Sequence, residues 1–426
     1  MKIAVIGGGI SGLSAAWLLS CNHKVTLFEA ERRLGGHTHT VDVMVDGVSH
    51  PVDTGFLVYN DRTYPNLIAL FETLGIRWAE SEMSFSVQAE ADGMEWAGTD
   101  LASVFAQKRN LLSSRFWAML SDILRFNREG TKLALDDHGA TGTLGQYLDA
   151  HAYGKSFRDW YLIPMAAAIW STPAASIHDF PLCTFLRFCH NHGLLQVTDR
   201  PRWRTVVGGG REYVARMAAA IREVHTAAPV VAITRREQSV LVATAQGREE
   251  YFDEVVLACH SDQALRILAD ATRQEKQILG AITYQPNLAV LHTDESFLPK
   301  NPKAWAAWNY HAGAGLPDSR PVALSYLINK LQPLPFKTPV IVTLNPHRQP
   351  APDKIQGTFK YLHPLFDEAA VTAQGQLDSI QGKARTWFCG AWTRYGFHED
   401  GLLSGIRVAR SLGVSTPWQK VEVQGE

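Results

Sequence analysis

The chain has 426 residues, of which 46 % are hydrophobic and 19 % charged, so intrinsic disorder is excluded and two to three globular domains are expected at about 150 residues each. Its 41 Lys and Arg residues against 42 Asp and Glu residues give a formal net charge of −1, which provides no basic field to hold nucleic acid. The five cysteines form no Cys-x-x-Cys pair, and we expect buried thiols in a cytoplasmic, reducing setting and no metal site. No apolar run reaches the ~18 residues that a transmembrane helix needs.

The first thirty residues predict a dinucleotide-binding βαβ unit. Ile3 to Ile6 are all apolar, as expected for a central parallel strand that is covered on both faces. They lead into Gly7-Gly8-Gly9-Ile10-Ser11-Gly12, a helical stretch and a second strand, Lys24 to Phe28. Glu29 then stands 22 residues beyond Gly7, where a carboxylate accepts hydrogen bonds from a ribose. The pattern predicts a helix N-terminus that faces a pyrophosphate, next to a ribose without a 2′-phosphate.

Two further glycine motifs follow this unit. Arg33-Leu34-Gly35-Gly36-His37 comes soon after Glu29, and a two-strand pattern then ends at Asp53-Thr54-Gly55. In the middle of the chain, Gly208-Gly209-Gly210 precedes a helical stretch, and strand-like segments begin at Val230 and end at Cys259. These segments predict a small antiparallel sheet and a return to a buried parallel strand.

The C-terminal part repeats the arrangement of a strand followed by glycine and a helix. Thr386 to Cys389 is an apolar strand that runs into Gly390, and Gly396-Phe397-His398-Glu399-Asp400-Gly401 opens a helix. The pattern points a second helix N-terminus at an electron-rich group.

The intervening segments have their own patterns. Residues 64–201 are helical in pattern, and residues 261–377 contain strand-like runs separated by Pro-rich turns. Between Phe105 and Asn127, apolar residues recur at helical spacing, which predicts a core-facing helix. Five basic residues around that stripe, Lys108, Arg109, Arg115, Arg125 and Arg128, leave a membrane-surface helix as the alternative.

In the order Gly-x-Gly-x-x-Gly, Glu, Arg-x-Gly-Gly, Asp-x-Gly and C-terminal Gly-initiated helix, the sequence resembles the flavin-containing amine oxidase superfamily, which includes phytoene desaturases and protoporphyrinogen oxidases. The resemblance implies non-covalent FAD. It also implies that the cofactor-binding residues are Gly7, Gly9, Ile10, Ser11, Gly12, Glu29, Ala30, Arg33, Gly35, Gly36, His37, Thr38, Asp53, Thr54, Gly55, Phe56, Val230, Cys259, Gly390, Ala391, Glu399, Asp400, Gly401 and Leu402.

The same resemblance implies a combined α/β and α+β fold with two discontinuous domains. A Rossmann-type, glutathione-reductase-like FAD domain with a parallel sheet would comprise residues 1–63, 202–260 and 378–426. An interleaved substrate domain of mixed sheet and helices would comprise residues 64–201 and 261–377. A nicotinamide-only dehydrogenase would leave Gly35-Gly36 and the C-terminal motif without a role.

The sequence departs from the superfamily at the sites of amine chemistry. The family commonly places a lysine near flavin N5, on the strand that corresponds to Asn287–Leu291, and no lysine stands there. Phe397 falls at a position that flanks the amine, but it lacks the hydroxyl often found there, and His37 replaces a common arginine. The candidate catalytic residues are therefore Tyr395, Phe397 and His398, with His398 as an acid–base group.

A narrower likeness covers Ala166 to Pro173, Pro201 to Val206, Tyr361 to Asp367 and Gly396 to Gly401. These segments resemble a bacterial FAD/NAD(P)-binding oxidoreductase branch that is associated with cyclopropane fatty-acid synthases. The resemblance implies hydride transfer to flavin from an apolar, unsaturated or modified fatty-acyl substrate. It also implies a lipid methyltransferase as partner. The helical stripe between Phe105 and Asn127 adds peripheral contact with the inner membrane surface as an expectation. The alternatives are an amine oxidase that releases peroxide and a non-catalytic flavoprotein that serves as a scaffold for such a methyltransferase.

Overall fold

A computed structural model describes residues 1–136, 141–313 and 322–418. Its strands are β1 Lys2–Ile6, β2 Lys24–Phe28, β3 Thr40–Val45, β4 Val48–Asp53, β5 Tyr59–Asn60, β6 Trp78–Ser81, β7 Phe85–Ala89, β8 Met94–Ala97, β9 Trp203–Val206, β10 Glu223–His225, β11 Val230–Arg235, β12 Val240–Thr244, β13 Glu249–Phe252, β14 Glu254–Leu257, β15 Tyr284–His292, β16 Trp308–Ala312, β17 Leu324–Leu327, β18 Ile341–Leu344, β19 Ile355–Pro364 and β20 Thr386–Phe388. Its α-helices are α1 Ile10–Leu19, α2 Pro65–Leu74, α3 Leu101–Val104, α4 Ser114–Ala134, α5 Leu144–Ala150, α6 Lys155–Phe157, α7 Ile163–Trp170, α8 Ala174–Ile177, α9 Leu182–Asn191, α10 Arg211–Ala219, α11 Ser261–Ile267, α12 Arg273–Gly280, α13 Ile328–Leu331, α14 Glu368–Gln376 and α15 His398–Ser411.

A five-stranded parallel sheet has the order β10-β2-β1-β14-β20. Its central strand β1 is covered on both faces, and Ile3, Ala4 and Val5 are fully buried, which explains the unbroken apolar run in the sequence. The carboxyl ends of parallel strands meet at one edge of a sheet. The residues that directly follow β1, β14 and β20 therefore come together, as predicted for the dinucleotide site.

Helices α1 and α15 pack against each other through small residues. A β-carbon on Gly405 would lie 2.1 Å from Ser14 Oγ, and one on Gly401 would lie 2.8 Å from a methyl carbon of Ile10. The close approach sets the N-terminus of α15 beside that of α1.

A seven-stranded mixed sheet, in the order β19-β15-β18-β17-β16-β7-β8, forms the second large layer. The antiparallel β15–β19 ladder runs from the pair Tyr284 and Pro364 to the pair His292 and Ile355. Smaller sheets are formed by β11-β12-β13, β3-β4 and β5-β9-β6. The architecture confirms a mixed α/β fold with a parallel and a mixed sheet, and the finer glutathione-reductase-like topology stays a prediction.

The two large sheets draw their strands from different predicted segments. The strands of the parallel sheet all lie within the predicted segments 1–63, 202–260 and 378–426. Those of the seven-stranded sheet lie within the predicted segments 64–201 and 261–377. Four helices from the latter segments, α2, α11, α12 and α14, nevertheless pack with the parallel sheet in its two hydrophobic cores. By their packing these four helices belong with the parallel sheet, whereas the predicted boundaries assign them to the substrate domain. The boundaries themselves stay a prediction.

The apolar residues between Phe105 and Asn127 form a buried set and an exposed set in the structure. Phe116, Met119 and Phe126 on α4 are buried in the core, as the helical spacing predicts. Leu111 and Leu112, which belong to the same sequence pattern, precede α4 and are exposed. Within the described ranges, no helix is both long enough and apolar enough to cross a membrane.

Candidate functional site

The glycine turn after β1 leaves an open space at the N-terminus of α1. Gly7 has φ +109°, and a β-carbon on Gly12 would lie 1.8 Å from the carbonyl oxygen of Gly7, so glycine is required at both positions. A β-carbon on Gly9 would meet no atom within 4 Å. Ile10 and Ser11 are buried in the first turn of the helix, whose free N–H groups and dipole favour an anion such as a pyrophosphate.

Glu29 lies beside this turn. Its Oε2 accepts a hydrogen bond from the Gly8 N–H (2.6 Å), and its Oε1 accepts one from Glu31 (2.8 Å). Each carboxylate oxygen retains acceptor capacity for ribose hydroxyls. The backbone N–H of Ala228 donates to the Glu29 carbonyl oxygen (2.9 Å), which brings Val230, at the start of β11, close to this end of the site.

The second glycine pair packs against the first turn. A β-carbon on Gly36 would lie 3.1 Å from Gly9 Cα, and Gly35 forms a β-bridge with Gly9. Arg33 holds this loop, because its Nη1 donates to the carbonyl oxygens of Gly36 (2.8 Å) and Thr38 (3.3 Å). The structure therefore brings the two predicted motifs together, while the Arg33 guanidinium binds the backbone of its own loop. Ala30 is exposed beside that loop.

Asp53 connects three segments of the chain. Its carboxylate accepts hydrogen bonds from Thr40 Oγ1 (2.5 Å), the Gly210 N–H (3.0 Å) and Gln332 Nε2 (2.8 Å). Burial raises the pKa of Asp53 to about 6, against the effect of these hydrogen bonds. Asp53 thus fixes the turn at Gly210, at the start of α10.

The three residues after Asp53 continue into the site. Thr54 Oγ1 lies 2.7 Å from Tyr361 Oη, and the Phe56 N–H donates to the His37 carbonyl oxygen (2.9 Å). Gly55 faces the same carbonyl group, since a β-carbon there would lie 2.0 Å from the oxygen.

Four histidines, His37, His260, His363 and His398, meet where the carboxyl edge of the parallel sheet faces the end of the β15–β19 ladder; we call them the histidine group. The His37 ring lies 5.3 Å from His363 and 6.2 Å from His260. In the described part of the chain, the buried His37 Nε2 and His260 Nδ1 have no hydrogen-bond partner. A buried polar atom without a hydrogen-bond partner lowers the stability of the fold. Both nitrogens are therefore available to a ligand.

These imidazoles are neutral at pH 7. Burial lowers the pKa of His37 and His260 to about 4 and that of His363 and His398 to about 3, and neighbouring histidines lower each of them further. The hydroxyl of Tyr361 stays protonated, since burial raises its pKa to about 12.

The three candidate catalytic residues point in two directions. His398 stacks on Phe56 with ring centroids 3.8 Å apart, and its Nε2 lies 2.7 Å from Tyr213 Oη. Phe397 turns to the opposite side and stacks on Phe188 of α9 (5.0 Å), while the Tyr395 ring lies 5.8 Å from Phe188. His398 therefore lies beside Phe56 and Tyr213, where the buried Thr38 hydroxyl lies 2.5 Å from Tyr213 Oη. The rings of Phe397 and Tyr395 face α9 instead.

The two acidic residues after His398, Glu399 and Asp400, accept hydrogen bonds from backbone N–H groups. Glu399 Oε1 accepts from the Asn66 N–H (2.9 Å) and Asn66 Nδ2 (2.8 Å), and Oε2 accepts from the Leu67 N–H (2.9 Å). The carboxylate thus caps α2, and burial raises its pKa to about 7. Asp400 Oδ2 accepts from the Phe397 N–H (2.9 Å), and burial raises its pKa to about 6.

The remaining predicted residues lie around the turn that begins α15. The Gly390 N–H donates to Ser404 Oγ (2.9 Å), and Leu402 is fully buried between α15 and α1. A β-carbon on Gly401 would lie 3.6 Å from Cβ of Ala391. Burial raises the pKa of the Cys259 thiol to about 12, so it is not a thiolate at neutral pH.

Replacing Glu399 by alanine is expected to lower the free energy of unfolding by about 3 kcal/mol, because three buried donors at the start of α2 lose their acceptor. Glu399→Gln keeps one acceptor oxygen and should lose about half as much. Urea unfolding monitored by circular dichroism measures both values. Glu368→Ala, in the exposed first turn of α14, serves as the control. An equal loss for Glu399→Ala and this control would contradict the capping role.

Sequence reasoning missed His260, His363, Tyr213 and Tyr361. Tyr361 and His363 lie in a segment that the narrower likeness singled out, but no local pattern identifies their role. They reach the site only because β19 pairs with β15, a contact that spans some seventy residues of sequence.

The fold recurs in solved structures of several enzymes. The CLA-producing fatty acid isomerase from P. acnes is 16 % identical, with a TM-score of 0.67 over 96 % of this chain and 98 % of that chain. Putrescine oxidase bound to putrescine has the same identity and TM-score over 97 % and 99 %. Cyclohexylamine oxidase from Brevibacterium oxydans is 16 % identical, with a TM-score of 0.66 over 96 % and 99 %. At these identities the similarity establishes the fold. No curated protein sequence matches the chain.

The family model of the flavin containing amine oxidoreductases matches residues 10–333, well over half of the chain. This match confirms the sequence-based prediction of an FAD-dependent oxidoreductase. The chain therefore belongs to the flavin-containing amine oxidoreductase family.

Proposed function

We propose that this enzyme transfers a hydride from a carbon of an apolar, fatty-acyl substrate to its flavin. The observation that carries the proposal is the aromatic cluster that opens helix α15: Phe397 stacks on Phe188 of α9, and the Tyr395 ring lies 5.8 Å from Phe188. Apolar rings accommodate a hydrocarbon chain at little cost and offer no counter-charge to an ammonium group.

The residues fit FAD. The open space at Gly9 and the N-terminus of α1 would hold the pyrophosphate, Glu29 the ribose, and the backbone at Val230 the adenine. The unpartnered His37 Nε2 lies next to Gly36 and is available to a phosphate oxygen. The cofactor supplies the two-electron chemistry, so the protein has to position the substrate, exclude water and keep nearby protons in place.

The side chains that face α9, where we place the substrate, are aromatic. Phe188 and Phe397 stack, with an interplanar angle of 20°, and neither ring carries a hydroxyl. The strand expected to carry an amine-site lysine, β15, contains no lysine, and Asn287 Nδ2 on this strand lies 3.2 Å from His363 Nδ1. Both features favour an apolar substrate over an amine. The fold match to a fatty acid isomerase supports the proposal, although two amine oxidases match equally well.

Anaerobic titration of the FAD-loaded enzyme tests this function. An unsaturated fatty acid or phospholipid should bleach the oxidised flavin absorbance, while putrescine and aromatic amines should leave it unchanged. Dithionite-reduced enzyme serves as the positive control for full bleaching. Bleaching by amines alone would overturn the proposal.

Amine oxidation is the second candidate, because the chain matches the folds of putrescine oxidase and cyclohexylamine oxidase as well as it matches that of the fatty acid isomerase. It predicts peroxide release in air with amines. The association with cyclopropane fatty-acid synthases and the lipid methyltransferase partner stay predictions from sequence.

A further inference from the structure

Exposed apolar side chains are concentrated in one short stretch of the described chain. Thirteen large hydrophobic residues are exposed, and six of them lie between residues 101 and 135: Leu101, Leu111, Leu112, Trp117, Leu124 and Leu135. Scattered exposed hydrophobic residues are normal, whereas a concentration of them marks an interaction surface.

Four of these residues form one patch, which we call the α4 face: Leu111, Leu112, Trp117 and Leu124. Trp117 and Leu124 are seven residues apart on α4 and share a side of the helix, about a quarter turn around the axis from the buried Phe116. Trp117 Nε1 donates to the Leu111 carbonyl oxygen (2.9 Å), which fixes the preceding turn against the helix. Leu112 is 93 % exposed and Trp117 is 50 % exposed.

Basic side chains border this patch. Lys108 lies in the turn with Leu111, and Arg128 lies on α4, on the same side as Trp117 and Leu124. Arg128 is 70 % exposed, with Glu129 at 4.0 Å. Arg115 lies on the other side of α4, where it pairs with Asp92 (3.5 Å) and stacks over Trp160 (4.5 Å), and Arg109 donates to the Gly93 carbonyl oxygen. Because the whole chain has a net charge of −1, any attraction to an anionic surface must be local.

We propose that the α4 face docks on a bilayer that contains anionic phospholipid. Trp117 and the three leucines enter the interface between headgroups and acyl chains, and Lys108 and Arg128 contact lipid phosphates. An aromatic ring with an N–H, aliphatic side chains and a basic border is the combination that such an interface favours.

The position of α4 relates this surface to the candidate site. Gly130 of α4 packs against Leu186 of α9, where a β-carbon would lie 3.1 Å from Leu186 Cδ2. On the same helix α9, Phe188 stacks on Phe397. A docked bilayer would thus lie one helix away from the aromatic pair. The link to a lipid substrate rests on the proposed function, whereas docking itself does not.

Vesicle flotation of the full-length, FAD-loaded protein tests the proposal. We expect binding to vesicles of phosphatidylcholine mixed with phosphatidylglycerol, weaker binding to phosphatidylcholine alone, and loss of binding at high salt. The double variant Leu112→Glu/Leu124→Glu should reduce the bound fraction about tenfold. Both side chains are exposed, so the fold should tolerate the change. Met44→Glu/Tyr251→Glu, at exposed apolar positions on other elements, is the matched control.

Three results would overturn docking: no vesicle binding by the wild type, equal binding by the α4-face variant, or a wild-type dimer in light scattering that the variant abolishes. The last would make the face a contact between two copies of the chain. Flavin absorbance of the same samples monitors the integrity of the site. Docking without bleaching by any lipid would refute the proposed function and leave the docking surface in place.

Discussion

Replacing Gly9 by leucine is expected to abolish FAD binding while the apoprotein still folds. Gly9 has φ −73°, which any residue adopts, and a β-carbon there meets no protein atom within 4 Å. The added side chain therefore causes no clash in the apoprotein. It fills the space at the N-terminus of α1 that the pyrophosphate requires. We expect the dissociation constant for FAD to rise at least about 100-fold, a loss of about 3 kcal/mol.

Titration calorimetry of the apoprotein with FAD measures this loss, and thermal unfolding of the apoprotein tests the fold. Gly375→Leu is the matched control, because Gly375 is an exposed position on α14 where a β-carbon also meets no atom within 4 Å. It should bind FAD as the wild type does. Gly12→Ala should instead lower the stability of the apoprotein in thermal unfolding, because its β-carbon would lie 1.8 Å from the Gly7 carbonyl oxygen. Unchanged FAD affinity in Gly9→Leu would place the cofactor elsewhere.

Local sequence was sufficient to predict the parallel-sheet unit. Strand β1 is apolar throughout because both of its faces are covered, and the glycine spacing that follows is dictated by contacts between residues five positions apart, such as Gly7 with Gly12. Such constraints act over short stretches of chain, so a single sequence displays them.

The direction in which a side chain points, and the groups that it contacts, could not be predicted in the same way. Glu399 follows His398 in a helix that opens near the cofactor side, yet its carboxylate turns to the N-terminus of α2, more than 330 residues earlier in the chain. The sequence also left α4 open between a core-facing and a membrane-surface helix, because helical periodicity alone does not show which side of a helix is covered. The neutral histidine group depends on burial and on strand pairing, neither of which a motif records.

Acidification from pH 7 to pH 5 is expected to destabilise the apoprotein through the histidine group. An unfolded histidine titrates near pH 6.5, whereas burial lowers the pKa of these four to about 3 or 4. Between these values the unfolded state binds more protons, so stability falls as the pH falls. Each imidazole costs about 2 kcal/mol at pH 5, about 8 kcal/mol for the four.

Three buried carboxyl groups oppose this loss. The pKa values of Glu399, Asp53 and Asp400 are raised to about 7, 6 and 6, so the folded state takes up their protons first as the pH falls. They return about 5 kcal/mol between pH 7 and pH 5 and leave a net loss of about 3 kcal/mol from these seven groups. His39, His192 and His292, whose pKa burial also lowers to about 4, increase the total loss by the same mechanism. Urea unfolding at the two pH values measures it. His37→Gln removes one titrating imidazole and should reduce the loss by about 2 kcal/mol. Phe185→Leu, a buried substitution among the rings of Phe126, Trp170 and Phe180, should lower stability equally at both pH values. If the wild type and His37→Gln lose the same stability on acidification, the neutral buried state of His37 is wrong.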